Sequence, residues 1–116
     1  MIDSMLIVRF YRSAMGTEPV REWLKSLPTS ERFEIGKDIK VVQFRWPLGM
    51  PLVKKLHSKP NVWEVRTQLP NRISRVLFTV AGNEMVLLHA FVKKTQATPK
   101  AELKLAVERI DFEGGK

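Results

Sequence analysis

The chain has 116 residues and no cysteine, and its 20 lysine and arginine residues exceed its 12 aspartate and glutamate residues, which gives a formal net charge of +8. This length fits one domain with a single core, and the lack of cysteine excludes disulfides and thiolate zinc sites. The apolar runs fall far short of the ~20 residues of a membrane-spanning helix, and the N-terminus lacks a secretion-signal pattern. We therefore expect one soluble, cytoplasmic domain over residues 1–116.

The first part of the chain predicts a strand followed by two helices. Strand-forming residues fill the segment 5–11. Pro19 fits the first turn of a helix that Pro28 ends, and apolar residues at helical spacing predict a second helix from residue 29 to Pro47. The two helices are expected to form a hairpin with a short turn.

The remainder predicts a run of strands and a closing helix. Three prolines in residues 47–60 indicate a loop with at most a short strand, and turn signals separate three further strands over 62–69, 72–80 and 84–92. A last helix follows Pro99 and gives way to a frayed tail over 111–116. The predicted fold is α+β, in the order β-α-α-β-β-β-α, with an N-terminal helical hairpin and a C-terminal helix on an antiparallel sheet of four to five strands.

Positive charge is concentrated on the predicted strands. Residues 54–94 contain eight basic and two acidic side chains, and a folded surface of this charge favours a polyanion, with nucleic acid as the leading candidate. Alternation puts Arg66 and Glu64 on one face of their strand and Trp63 on the other. Arg66 could therefore contact a phosphate through its guanidinium, or it could form an ion pair with a carboxylate such as Glu64.

The remaining candidate side chains each allow two interpretations. His89 interrupts an apolar strand, on the face that simple alternation assigns to Leu87 and Phe91. It is either a hydrogen-bonded core residue or an acid–base group, because an imidazole exchanges protons near neutral pH. The pairs Lys54-Lys55 and Lys93-Lys94 are either solvated charges or anion contacts. The sequence has no histidine, aspartate and glutamate cluster with metal-ligand spacing.

Five segments, in this order, resemble the phage-derived Gp49-like branch of the HigB toxins in the RelE/ParE toxin superfamily. They are GTEPVREWLKSLP at 16–28, PLVKKL at 51–56, VWEVRT at 62–67, RVLF at 75–78 and LLHAFVKKTQATPKAELKLAVERI at 87–110. The resemblance spans almost the entire chain and implies a RelE-like fold. It also implies the toxin of a type II toxin-antitoxin module, an mRNA endoribonuclease (mRNA interferase) that cleaves mRNA on the ribosome without metal by using the ribose 2′-OH.

The resemblance further implies partners and site residues. The expected partners are mRNA and a helix-turn-helix antitoxin of the HigA/Xre-like type, and no cofactor or metal is expected. Matching motif positions imply catalytic roles for Arg66, Arg75, Lys93, Lys94 and, as a candidate acid or base, His89, and RNA-binding roles for Lys54, Lys55 and Arg72. Two alternatives stay open: a non-catalytic RNA- or ribosome-binding module, and a ParE-like toxin that acts on a protein target such as gyrase.

Overall fold

A computed structural model describes residues 5–93 and 98–114 of the chain. Within these ranges the elements follow one another as β1 (Ile7–Phe10), α1 (Pro19–Lys25), α2 (Thr29–Arg45), β2 (Val53–Ser58), β3 (Asn61–Leu69), β4 (Arg72–Ala81), β5 (Glu84–Lys93) and α3 (Lys100–Gly114). None of the helices in the described ranges is long and apolar enough to cross a membrane.

The five strands form one mixed sheet with the order β1-β5-β4-β3-β2. Strands β2 to β5 are an antiparallel meander, as expected from the short turns between them. The β4–β5 turn contains Gly82 at φ +62°, a left-handed conformation that glycine adopts without steric cost. Strand β1 pairs with β5 in parallel. The α+β prediction is confirmed, and the direction of β1 makes the sheet mixed rather than purely antiparallel.

The helices begin and end close to the predicted positions, except at the C-terminus. Pro19 is the first residue of α1, and Pro28 directly precedes α2. Helix α3, however, continues to Gly114, so the prediction of a frayed tail is wrong for residues 111–114. Near this end Arg9 Nη1 lies 3.0 Å from Glu113 Oε1, and this ion pair ties the last turn of α3 to β1.

The sheet is covered by helices on both faces. Helices α1 and α2 cover one side, which we call the hairpin face, where Val65, Val76, Phe78 and Leu87 are buried. Helix α3 covers the other side, the α3 face, where Val62, Leu77, Val86 and Phe91 are buried together with Ala106 of α3. Two apolar clusters on opposite sides of one sheet thus hold the three helices in place.

A β-bulge in β5 changes which side chains belong to the α3 face. The pairing of β4 with β5 shifts between Leu77, which pairs with His89, and Phe78, which pairs with Leu87. Leu88 is therefore an extra residue, and the alternation of side chains is interrupted there. As a result His89 lies on the α3 face with Phe91. The prediction that His89 shares a face with Leu87 is wrong, because simple alternation takes no account of the bulge.

Candidate functional site

Residues that pair directly across neighbouring strands form one rung of the sheet. Basic side chains from four strands come together on three neighbouring rungs of the α3 face. Residues that pair directly across strands share a face of the sheet, with about 4.8 Å between strands and roughly 6.7 Å between successive rungs on one face. We call these rungs the basic patch: they are Lys54, Glu64, Leu77 and His89; then Arg66, Arg75 and Phe91; then Gln68, Ile73 and Lys93. Five of the eight predicted site residues are therefore neighbours.

A buried carboxylate lies in the middle of the basic patch. Glu64 and Arg75 are both 0% exposed, and Arg75 Nη1 donates a hydrogen bond to Glu64 Oε1 at 2.7 Å. Arg66, whose side chain is 13% exposed, brings its Nε to 3.5 Å from the same oxygen. Arg66 and Arg75 pair directly across β3 and β4, a position where two like charges repel each other. The carboxylate of Glu64 compensates that repulsion and holds both guanidinium groups beside it.

Glu64 also joins the sheet to the chain segment that leads into α3. The Thr98 hydroxyl donates a hydrogen bond to Glu64 Oε2, while Oε1 faces the two arginines. One carboxylate thus connects β3, β4 and the start of α3. Because hydrogen bonds to a charged acceptor are stronger than neutral ones, we interpret Glu64 as the residue that fixes the geometry of the patch.

His89 is held in a defined orientation at the edge of the patch. Its Nε2 lies 2.5 Å from Oε1 of Glu102, in the first turn of α3. Its ring lies 5.6 Å from the ring of Phe91, and the side chain is 17% exposed. A carboxylate on one ring nitrogen fixes which nitrogen carries the proton. The arrangement therefore gives His89 the orientation that an acid or base needs.

Further contacts fasten α3 over the patch. Arg109 donates to the carbonyl oxygen of Leu88 at 2.6 Å and lies 5.0 Å from the centre of the Tyr11 ring, and burial lowers the pKa of Arg109 below its ordinary value. Burial acts in the same direction on Arg9, but its hydrogen bonds to Glu113 and Glu84 outweigh that effect, and its pKa is raised. These contacts hold the C-terminal half of α3, and the contact of Glu102 with His89 holds its first turn.

Three of the predicted site residues are not part of the basic patch as described. Lys55 pairs with Trp63, and its Nζ lies 5.8 Å from the centre of that ring. Arg72 pairs with Leu69 of the hairpin-face core and forms an ion pair with Glu31 of α2. Both side chains thus belong to the opposite face of the sheet. Lys94 lies outside the described residues.

Three residues that the sequence did not single out as site residues belong to this arrangement. Glu64 and Glu102 supply carboxylate oxygens that accept hydrogen bonds, and Thr98 donates the hydrogen bond that links Glu64 to the segment before α3. Alternation along β3 gave a signal for Glu64, because it shares a face with Arg66. The roles of Thr98 and Glu102 depend on how α3 crosses the sheet, for which the sequence contains no local signal.

The patch differs in accessibility from one side chain to the next, and this limits what each can do. Lys54 is exposed, Lys93 and Arg66 are partly exposed, and Arg75 is fully buried. The accessible cations can bind an anionic group directly, whereas Arg75 acts through Glu64. In the part of the chain that the structure describes, no three histidine, aspartate or glutamate side chains form a cluster suited to a metal ion.

Comparison with known protein families gives a match over most of the chain. A family model described as "Phage derived protein Gp49-like (DUF891)" matches residues 22–111, well over half of the chain. The matched range contains α2 and strands β2 to β5, and with them every residue of the basic patch. A search of curated proteins found no match.

Proposed function

The chain belongs to the Gp49-like family of phage-derived proteins, a RelE/HigB-like toxin family, and on this basis we propose that it is an mRNA endoribonuclease of a type II toxin-antitoxin module. Family membership suggests the toxin role and an antitoxin as partner. The further proposal is that the toxin cleaves mRNA on the ribosome, without metal, and that its antitoxin carries a helix-turn-helix domain.

The observation that carries this proposal is the basic patch. Its five basic or imidazole side chains occupy three adjacent rungs around a single buried carboxylate. A cluster of cations on rigid strands is suited to a phosphate backbone, because charge-assisted hydrogen bonds from arginine and lysine to phosphate oxygens are strong and directional. An imidazole beside these cations adds a group that can move a proton.

The proposed reaction gives each chemical step to a different side chain. His89 accepts the proton of the ribose 2′-OH, and the 2′-oxygen then attacks the adjacent phosphorus. Arg66 stabilises the additional negative charge that forms on the phosphate oxygens in the transition state. Lys93 or Lys94 donates a proton to the 5′-oxygen as the bond from phosphorus to that oxygen breaks. The products are a 2′,3′-cyclic phosphate and a 5′-hydroxyl, and no metal ion is required.

The other candidate residues have supporting roles in this proposal. Lys54, which is exposed on the first rung, holds the RNA backbone. Arg75 is buried against Glu64 and positions Arg66 through that carboxylate rather than contacting RNA. Lys55 and Arg72, on the opposite face, contact RNA only if the RNA extends around the edge of the sheet.

A non-catalytic RNA- or ribosome-binding module is the second candidate, and one observation favours it. Arg75 and Glu64 are fully buried, and His89 is already engaged by Glu102, as in a site built mainly for stability. Such a module would bind RNA with strong salt dependence, since phosphate contacts release counterions, and would leave the RNA intact.

Primer extension on a reporter mRNA separates these functions. The chain is expressed from an inducible promoter in a bacterial host without the antitoxin, as wild type, as Arg66→Gln and as Arg32→Gln. The control removes the same charge at an exposed position of α2. New 5′ ends within the reading frame for wild type and Arg32→Gln, and none for Arg66→Gln, are expected. Growth arrest without new ends would contradict the nuclease proposal and direct attention to a protein target.

A further inference from the structure

The outer surface of α2 carries two exposed phenylalanines and two lysines in a single line. At 100° per residue, Phe33, Lys37, Lys40 and Phe44 lie within ~60° of the helix circumference, and we call this set the α2 stripe. Phe33 is 65% exposed and Phe44 is 54% exposed. They are the two most exposed aromatic side chains among the described residues. Exposed aromatic side chains are frequent anchors where another molecule binds.

The fold itself does not need these phenylalanines. Helix α2 packs on the sheet through Ile35, Ile39 and Val42, which are almost completely buried on the opposite side of the helix. That spacing alone supplies the apolar face of an amphipathic helix. Phe33 and Phe44 therefore add apolar area to the solvent side, where it contributes nothing to the core.

A glycine beside the stripe is also unexplained by the fold. Gly36 lies in the interior of α2, and a Cβ atom added there would have no atom within 4 Å. Glycine is less favourable than alanine inside a helix, and neither a tight contact nor a left-handed backbone requires it here. The absent side chain leaves room for the backbone of a partner to approach between Phe33 and Lys40.

The charges around the stripe indicate the chemistry of that partner. Lys37 and Lys40 lie within the stripe, and Arg45 lies beside its C-terminal end, while the acidic side chains nearby are Asp38 and Glu34, which is paired with Lys37 at 2.9 Å. A molecule that covers the two phenylalanines would therefore meet a positively charged strip between them. Acidic side chains on the partner would complement it and favour binding over a partner of like charge.

We propose that the α2 stripe is the docking surface for an acidic amphipathic helix of the antitoxin. The stripe is about 16 Å long, or three helical turns, which suits a helix that inserts apolar anchors at regular spacing. That the partner is the antitoxin rests on the proposed function. That the partner is an acidic amphipathic helix rests instead on the phenylalanines and lysines of the stripe. Helix α2 covers the hairpin face, and the basic patch lies on the opposite face of the sheet. An antitoxin helix bound to the α2 stripe therefore does not contact the basic patch.

Fluorescence anisotropy with designed peptides tests the docking surface directly. The probe is a labelled amphipathic peptide of about 18 residues, or five turns, with leucine on one face and glutamate elsewhere; its counterpart has lysine in place of glutamate. The purified chain is expected to bind the acidic peptide and not the basic one. The double variant Phe33→Ala/Phe44→Ala and the variant Lys40→Glu should each weaken binding about tenfold or more, as for anchor residues of an interface.

Matched controls carry the same kinds of change on other exposed surfaces. Met15→Ala removes an exposed apolar side chain and Lys25→Glu reverses an exposed charge on α1, and both should bind like wild type. Three results would each overturn the proposal. They are binding of the acidic peptide by the double variant as tightly as by wild type, binding of both peptides with the same affinity, and no binding of the acidic peptide. A dimer in sedimentation that the double variant abolishes would also overturn it, because a second copy would then be the occupant.

The failure of this proposal is distinguishable from the failure of the proposed function. Phe33→Ala/Phe44→Ala leaves the basic patch intact, so its mRNA cleavage should equal that of wild type. If the peptide binds and the chain cleaves no mRNA, the endoribonuclease is contradicted and the docking surface stands. If mRNA is cleaved and the acidic peptide does not bind, only the docking surface is contradicted.

Discussion

Replacing Glu64 by glutamine should destabilise the fold strongly, because Glu64 is the carboxylate that faces the buried Arg75. The change keeps the shape of the side chain but removes its charge. Arg75 would then lose the counter-charge 2.7 Å away in a place where both residues are 0% exposed. Breaking a buried ion pair by removing one partner typically costs about 3–5 kcal/mol.

The expected cost converts to a large change in melting temperature. An unfolding entropy of about 2.1 cal/mol/K per residue gives roughly 0.24 kcal/mol/K for this chain, so the Tm should fall by roughly 12–20 °C. The matched control is Glu84→Gln, which breaks an ion pair with Arg9 whose side chains are 38% and 37% exposed. An ion pair between side chains this exposed contributes no more than about 1 kcal/mol to the free energy of unfolding, which corresponds to roughly 4 °C in Tm.

Thermal unfolding of the two variants, followed by circular dichroism at neutral pH, tests this reasoning. A double variant, Glu64→Leu/Arg75→Met, serves as a further check, since replacing both buried charges by apolar side chains is often neutral. It should recover much of the stability lost in Glu64→Gln. A Tm for Glu64→Gln equal to that of Glu84→Gln would refute the claim that Glu64 organises the patch.

The remaining predictions concern RNA affinity, catalysis and the link to α3. Lys54→Gln should weaken RNA binding and lower the slope of log affinity against log salt concentration by about 0.7. Lys55→Gln, one residue away on the opposite face, should change that slope less in the same titration. His89→Gln should reduce single-turnover mRNA cleavage by about 10²-fold or more with RNA affinity unchanged, and a rate equal to wild type would remove His89 from the mechanism. Thr98→Val deletes a hydrogen bond to a charged group and should cost about 1.5–3 kcal/mol of unfolding free energy in urea titrations, whereas a cost near zero would mean that Thr98 does not anchor α3.

The sequence predicted most of the fold because most of its contacts are local. Strands β3, β4 and β5 follow one another with short turns, so alternation and the Gly82 turn signal were enough to place them. The parallel pairing of β1 with β5 joins residues more than 70 positions apart. No local pattern specifies such a pairing, and its direction could not be read from the sequence.

The site was predicted less completely than the fold, again for physical reasons. Alternation correctly put Arg66 and Glu64 on one face of β3, but it failed for His89 because a bulge at Leu88 interrupts the period of two. The sequence also shows which residues are charged, but it does not show which of them are buried. Alternation puts Arg72 and Arg75 on opposite faces of β4, which the pairing of β3 with β4 confirms. It does not show that Arg75 is buried against Glu64 or that Arg72 pairs with Glu31.

The most direct test of the endoribonuclease proposal is a cleavage assay with one modified nucleotide. Ribosomes programmed with a defined mRNA are treated with the purified chain, the cleavage position is mapped, and the assay is repeated with 2′-deoxyribose at the nucleotide before the cut. The proposed mechanism predicts 2′,3′-cyclic phosphate and 5′-hydroxyl ends from the native mRNA, and no cleavage at that position in the modified one. Cleavage that persists without the 2′-OH would contradict it.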